Sequence, residues 1–158
     1  MTRPSASRWE MGSSFHLDLS TVGNESWLPT PTRLFGTARA ALCALIQMGV
    51  AMGWRRLYLP DYYCHEVTRT LLGEISIELY HDKPNRSEFT VELTNKDAIL
   101  IVEYFGRKAN PRADLGTIIL DRTHDPAAEW EYESRPHYVI TSLRKYFPLP
   151  DGLSLIHI

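Results

Sequence analysis

Two unbroken runs of apolar residues constrain the fold of this chain more than any other feature. They lie within AILIVEY at 98–104 and TIILD at 117–121, and a more mixed run, HYVITS, follows at 137–142. Strands without alternating polar residues are covered on both faces, which is typical of parallel sheets flanked by helices. The sequence therefore predicts an α/β fold with a mostly parallel sheet. The segments between the predicted strands after residue 104 are too short for long crossover helices everywhere. We therefore expect that one connection runs antiparallel or that these strands are not adjacent.

The region before residue 98 predicts two helices and two further strands. Thr37 suits the N-cap of a helix over 37–52, whose apolar residues recur on one face and which Gly53 ends. The remaining elements, in chain order, are a strand at 57–59, a helix at 63–72, a strand at 75–80 and a polar loop at 81–95. Residues 1–35, with many Ser, Thr, Pro and Gly, predict an irregular arm that contains a short strand at 15–19.

Composition narrows the class of protein. The 158 residues amount to one domain, and 44% of them are hydrophobic, which excludes a disordered tail. Lys and Arg number 17 and Asp and Glu 19, so there is no basic excess to support nucleic-acid binding. Cys43 and Cys64 are too few for a disulfide framework, and Cys64 beside His65 does not match zinc-ligand spacing, so we expect no metal. Reduced thiols, with neither a secretory signal nor an apolar run of about 18 residues, predict a cytoplasmic protein without a membrane span.

Polar residues follow the predicted strands at the end where open α/β sheets bind ligands. They include Asp121, His124, Ser142 and Lys145, and Thr37 adds a helix N-terminus whose free N–H groups suit a phosphate. A phosphate site, a strand-end Asp and a Lys are the groups that hold pyridoxal phosphate. The Lys amine forms a Schiff base with the aldehyde of that cofactor, and the Asp pairs with its ring nitrogen.

Each of these residues also has a purely structural interpretation. Thr37 would cap the helix in any case, and Asp121 could cap a turn after its strand. His124 could make an ordinary hydrogen bond in a loop, and Lys145 beside Arg144 could be a solvated basic pair. None of these residues is specific by itself, so the residues alone leave both interpretations open.

Five segments resemble the DegT/DnrJ/EryC1/StrS family of pyridoxal-phosphate-dependent sugar aminotransferases. In the order of the family they are FGTARAAL (35–42), LYLPDYYCHEV (57–67), LIVEYFG (100–106), TIILDRTHD (117–125) and TSLRKYFPLPDG (141–152). The last segment is the most distinctive, and the resemblance covers roughly residues 30–152. It implies the truncated large domain of a fold-type-I pyridoxal-phosphate-dependent transferase over residues 36–152.

The resemblance implies roles for three residues at the phosphate of the cofactor. Thr37 and Ala38 correspond to the turn that binds this phosphate in the family. Ser142 corresponds to a further phosphate ligand. Together these positions imply that the start of the first helix and the end of the last predicted strand meet at one anionic group.

Three other residues correspond to positions around the ring and the aldehyde. Asp121 resembles the partner of the pyridine nitrogen, and His124 takes the place of the Gln or His that lies against the ring near its phenolic oxygen. Lys145 resembles the Schiff-base lysine. Lys108, which follows another strand, is the one credible competitor for that role.

Two features depart from the commoner family pattern. Lys145 follows Ser142 by three residues rather than five, so the chain is closer to a side branch with S-L-R-K followed by P-x-P-D-G. The aromatic residue that stacks on the ring in the family falls at Cys64 here. The neighbouring candidates for that contact, among which the sequence does not decide, are Tyr62, Tyr63 and His65.

The last six residues, LSLIHI at 153–158, resemble the translation of a transposase adapter used in sequencing libraries. At this point the family continues with glycine and a further strand. We therefore expect residues 153–158 to be non-native and the chain to be an N-terminal fragment, inactive alone, of an enzyme that acts as a homodimer.

The activity that the resemblance implies is transamination. An amino-acid donor, glutamate in much of the family, gives its nitrogen to the cofactor, and a keto acceptor, often on a nucleotide-linked sugar, receives it. Two alternatives use the same fold: a dehydratase and a non-catalytic binding or regulatory protein. A nucleotide-binding α/β module is a weaker alternative, because the sequence has no G-x-G-x-x-G or G-x-x-x-x-G-K motif.

Overall fold

A computed structural model describes most of the region that the sequence assigns to the layered domain. The described ranges are 32–83, 91–104, 115–124, 136–145 and 153–157. The predicted strand at 15–19 lies outside them, as do most of the predicted arm and Lys108. The helices in these ranges are all too short or too polar to cross a membrane.

The described residues form seven strands and two α-helices, and the helices follow β1 and β2. In chain order they are β1 (Thr32–Phe35), α1 (Ala38–Ala51), β2 (Arg56–Pro60), α2 (His65–Leu71), β3 (Ser76–Tyr80), β4 (Asp97–Val102), β5 (Thr117–Asp121), β6 (Tyr138–Ser142) and β7 (Leu153–His157). A single turn of 3₁₀ helix at Leu143–Lys145 follows β6. Each strand and helix predicted between residues 37 and 142 is present, with bounds that differ by at most a few residues.

The strands form one sheet in the order β1-β7-β6-β5-β4-β2-β3. The five strands from β3 to β6 are parallel to their neighbours, whereas β7 is antiparallel to both β6 and β1. This arrangement confirms the mostly parallel sheet. Strands β4, β5 and β6 are adjacent and parallel, so the expectation of an antiparallel connection or of non-adjacent strands after residue 104 was wrong. The connections over 103–116 and 122–137 are long enough for the dozen or so residues that a parallel crossover needs.

Two of the strands were not expected. Thr32–Phe35, which the sequence assigns to the irregular arm, form β1, and residues 153–157, whose origin was doubted above, form β7. The two segments pair with each other, Phe35 opposite Leu153. Strand β1 lies at the sheet edge and pairs with β7, and β7 lies between β1 and β6, so each short segment depends on its partners more than on its own pattern. Whether residues 153–158 are native stays a prediction.

Helix α1 begins and ends as its sequence predicts. The hydroxyl oxygen of Thr37 accepts a hydrogen bond from the backbone N–H of Ala40 at 3.1 Å, which satisfies one of the free donors of the first turn. After the helix, Gly53 adopts a φ of 105°, a left-handed conformation that favours glycine. The buried stripe of the helix consists of Ala41, Leu42, Leu45, Ile46 and Gly49.

Helix α2 is shorter than the predicted range of 63–72. The backbone N–H of Tyr63 donates to the carbonyl of Pro60 at 2.9 Å, which closes a turn between β2 and the helix. Tyr63 and Cys64 therefore belong to the connection, and the helix begins at His65. This turn directs Tyr63 toward the ends of the central strands.

The apolar runs that define the fold are buried on both faces. Every residue of β4 is buried. Its alternate residues Ala98, Leu100 and Val102 join the core beneath α1 and α2, whereas Ile99 and Ile101 belong to a second core with residues of β5 and β6. This two-sided burial is the reason why the strand sequence shows no alternation.

Candidate functional site

A cavity of about 510 Å³ opens where the central parallel strands end and α1 begins. Its lining includes every residue that the sequence predicts for a site, namely Thr37, Ala38, Asp121, His124, Ser142 and Lys145. These residues come from three separate parts of the chain. The structure therefore brings the whole predicted set to one place, although it does not by itself assign their roles.

The sheet topology explains this convergence. Parallel strands end at the same edge of a sheet, so the residues after β5 and β6 face one crevice. Strand β1 ends at the same edge, so the start of α1 also lies there. The register fixes the separation, because Leu153 of β7 is paired with Phe35 on one side and Ser142 on the other.

Asp121 ends β5 and is 6% exposed. Its Oδ1 accepts a hydrogen bond from the backbone N–H of Thr123 at 2.9 Å, and its Oδ2 accepts one from the hydroxyl of Tyr63 at 3.1 Å. The first bond is the turn cap that the structural interpretation predicts. The second ties the carboxylate to the connection after β2, so Asp121 does more than cap its own turn.

His124 packs against an aromatic side chain from the neighbouring strand end. The rings of His124 and Tyr104 have centroids 4.6 Å apart and an interplanar angle of 30°. Burial, and then the positive charge of Lys145, lower the pKa of His124 below its usual value. The imidazole is therefore neutral at neutral pH, which leaves one ring nitrogen as an acceptor.

The charges in the lining favour an anionic ligand. The cavity is lined by two basic side chains, Arg39 and Lys145, and by one acidic side chain, Asp121. Arg39 lies in the first turn of α1, where the positive end of the helix dipole adds to its charge. Thr37 and Ser142 bring hydroxyl groups to the same lining.

One buried polar atom in the lining lacks a protein partner. The Oγ1 atom of Thr123 has no hydrogen-bond partner among the residues that the structure describes, and Thr123 is only 8% exposed. Buried hydroxyl groups are normally satisfied, so this one is suited to a polar ligand in the cavity. The helix N-terminus at Thr37, the Asp121 carboxylate, the Lys145 amine and this hydroxyl are groups that could hold the phosphate, ring nitrogen, aldehyde and ring substituents of pyridoxal phosphate.

The residues near Pro60 that line the cavity are only some of the candidates for the contact with the cofactor ring that the sequence left open. Of the four positions considered, Tyr63 and Cys64 line the cavity, whereas Tyr62 and His65 are not among the described lining residues. Tyr104, which is not among the site residues predicted above, also lines it. Its position directly after a fully buried strand is the signal that could have identified it.

One comparison with known proteins bears on the fold of this chain. No protein-family model matches the chain, and no curated protein does. A solved structure of L-threonine-O-3-phosphate decarboxylase from Porphyromonas gingivalis is similar, with a TM-score of 0.52 and 13% identity over 80% of this chain. The chain spans 44% of the length of that structure. This likeness shows the fold alone, and it confirms the α/β fold expected for the large domain of a fold-type-I transferase.

Proposed function

We propose that this chain is part of an enzyme that depends on pyridoxal phosphate, and that the cavity holds this cofactor. The observation that carries the proposal is the convergence of six residues on one cavity. The sequence alone predicts all six positions. A chance resemblance gives no reason for residues more than a hundred positions apart to line the same cavity.

The proposed roles follow the chemistry of each side chain. Thr37, Ala38 and Ser142 would bind the phosphate through hydroxyl and backbone N–H groups. Asp121 would pair with the ring nitrogen. When bound, pyridoxal phosphate supplies a ring that withdraws electrons from the substrate carbon next to the amine. Lys145 would bind the aldehyde carbon through Nζ and would later take the proton from that substrate carbon.

The reaction we propose is transamination between an amino acid, with glutamate as the first candidate, and a keto acceptor such as a nucleotide-linked sugar. Support comes from the TSLRKYFPLPDG segment, the most distinctive part of the resemblance to the DegT/DnrJ/EryC1/StrS family. Lys145 argues against a dehydratase, since a missing lysine would favour that alternative. We further propose that the full-length enzyme is a cytoplasmic homodimer.

Covalent trapping tests the cofactor site. Pyridoxal phosphate is added to the full-length protein, borohydride reduces the adduct, and mass spectrometry locates the label. We expect the label on Lys145, with no label in Lys145→Ala or Lys145→Arg. The arginine variant keeps the charge but not the nucleophile. Lys96→Ala is the matched control, because Lys96 lies at the opposite end of the sheet.

The outcomes separate the enzyme class from the site. Label on Lys108 would move the site and keep the class. A folded protein with no labelled lysine would contradict the enzyme proposal and favour the non-catalytic alternative. Release of 2-oxoglutarate from glutamate by the loaded protein tests transamination itself.

Asp121→Asn tests the ring-nitrogen partner. An amide does not keep the pyridine nitrogen protonated as a carboxylate does, so the variant should keep some cofactor and lose most turnover. Near wild-type turnover would give Asp121 a structural role only.

A further inference from the structure

Tyr63 reaches across the cavity to the carboxylate on which the proposed function depends. Its backbone lies in the turn closed by the bond to Pro60, and its hydroxyl lies 3.1 Å from Oδ2 of Asp121. The contact joins residues 58 positions apart, so it is a tertiary contact and not a local turn. Its ring packs against the core beneath α1 and α2, which limits its movement.

The direction of this hydrogen bond follows from the chemistry of both groups. An ionised carboxylate only accepts, so the Tyr63 hydroxyl donates. Burial, and then the negative charge of Asp121, raise the pKa of Tyr63 well above its usual value. The hydroxyl therefore keeps its proton throughout the physiological range and remains a donor.

Among the described residues, Asp121 has one protein donor on each oxygen atom. The backbone N–H of Thr123 binds Oδ1 and Tyr63 binds Oδ2. An ionised carboxylate has about four acceptor positions, so room remains for one further donor from the cavity. The two protein donors fix the plane of the carboxylate and draw part of its negative charge toward themselves.

We propose that Tyr63 is a positioning residue that orients Asp121 and moderates its attraction for the proton on the cofactor ring nitrogen. The inference rests on the proposed function, because it needs pyridoxal phosphate in the cavity. With Tyr63 present, the charge on Asp121 is shared between two donors from the protein and one from the ring. Without the hydroxyl, more of that charge acts on the ring nitrogen, which then holds its proton to higher pH.

Packing alone is the competing explanation, since the Tyr63 ring contacts the core. Tyr63→Phe separates the two explanations, because it keeps the ring and removes only the hydroxyl. Tyr62→Phe is the matched control. Tyr62 is the adjacent residue, its hydroxyl donates to Oδ2 of Asp82 at 2.6 Å, and it is not among the described residues of the cavity lining.

The experiment measures protonation of the ring nitrogen directly. Pyridoxal phosphate labelled with ¹⁵N in the ring is bound to the full-length protein, and the ¹⁵N chemical shift is followed against pH. We expect Tyr63→Phe to move the deprotonation of the ring nitrogen upward by about one pH unit, the size expected for loss of one hydrogen bond to a charged group. Tyr62→Phe should leave the titration unchanged.

Each remaining outcome decides the inference. An unchanged titration in Tyr63→Phe, or an equal shift in Tyr62→Phe, would overturn it while the proposed function stands. A folded Tyr63→Phe protein that no longer binds the cofactor would support positioning, provided that Tyr62→Phe binds normally. An unfolded Tyr63→Phe protein would assign the hydroxyl to stability and overturn the inference. Failure of the wild-type protein to bind pyridoxal phosphate would remove both proposals.

Discussion

The imidazole of His124 lies against the phenol ring of Tyr104, with 4.6 Å between their centroids. The contact joins the ends of two neighbouring parallel strands, because Tyr104 follows β4 and His124 follows β5. It places a neutral, polarisable ring beside Lys145, whose charge opposes protonation of the imidazole. The protonation state of His124 therefore depends on its surroundings, and a titration of this residue can measure it.

The first prediction concerns the pH dependence of stability. The pKa of His124 is lowered from 6.5, so below about pH 6.5 the unfolded chain binds a proton that the folded protein resists. The contribution of His124 to the free energy of unfolding is fully present above that pH. It is lost as the pH falls toward the pKa of this residue in the folded protein. His124→Gln should therefore lose less stability than wild type between about pH 7 and pH 5, as measured by urea unfolding.

Lys145→Ala tests whether the charge of Lys145 is one cause of the lowered pKa of His124. NMR titration of His124 should show protonation at higher pH in this variant, because one of the charges that lowers the pKa is gone. An unchanged His124 titration would assign the whole effect to burial.

The second prediction concerns the cap of α1. Thr37→Ala removes the acceptor for the backbone N–H of Ala40 and should cost about 1 kcal/mol of unfolding free energy. Thr37→Ser keeps a hydroxyl and should restore most of it. If Thr37 also binds phosphate, Thr37→Ala should weaken the binding of pyridoxal phosphate more than that of pyridoxal. Equal weakening of both would limit Thr37 to its role as a cap.

The third prediction concerns the buried ion pair behind the site. Nε of Arg122 lies 2.6 Å from Oε2 of Glu103, and the two side chains are 0% and 3% exposed. Glu103→Gln leaves the guanidinium charge buried without its carboxylate and should cost about 3 kcal/mol in chemical denaturation.

An exposed pair in the same molecule is the control for this change. Arg69 and Glu66 lie 3.7 Å apart on the surface of α2, with 75% and 67% exposure. Glu66→Gln should change stability by less than about 1 kcal/mol, because solvent screens the pair. Similar losses in both variants would mean that burial does not determine the cost.

The fourth prediction concerns the close approach between Gly49 of α1 and Trp54, which lies shortly after the helix. A Cβ atom at Gly49 would overlap the indole ring of Trp54, which covers this part of the helix. Gly49→Ala should therefore destabilise the protein by about 1–3 kcal/mol, despite the better helix propensity of alanine. Met48→Ala, at the exposed neighbouring position, should change the unfolding free energy by less than about 0.5 kcal/mol. A neutral Gly49→Ala variant would show that Trp54 can move aside.

Much of the fold was predictable because local patterns and tertiary burial agree. The stripe of α1 and its Thr37 cap identify the helix without knowledge of its partners. The run Ala98–Val102 identifies a strand that is buried on both faces. In each case the residues carry the information about their own environment.

The remaining features depend on pairs of residues that are distant in sequence. The bond from Tyr63 to Asp121 and the packing of Tyr104 on His124 exist only after the strands align. The sequence offered several aromatic candidates near Pro60, and no local pattern distinguishes a residue that faces the cavity from one that faces solvent. The turn closed by Pro60 determines which of these aromatic side chains faces the cavity.

The position of β7 in the sheet has a consequence for synthesis of the protein. Among the described strands, β1 pairs only with β7, yet β7 follows it by more than a hundred residues. If residues 153–158 are native, β1 waits on the ribosome for this partner for a time on the order of ten seconds. Until then the facing edges of β1 and β6 are unpaired, and α1 is positioned near Ser142 by its packing on the core that includes Ile140 of β6. The pairing that joins the end of β1 to Ser142 through Leu153 is then the last to form in the described sheet, and a chaperone that shields these edges during translation would act on it most directly.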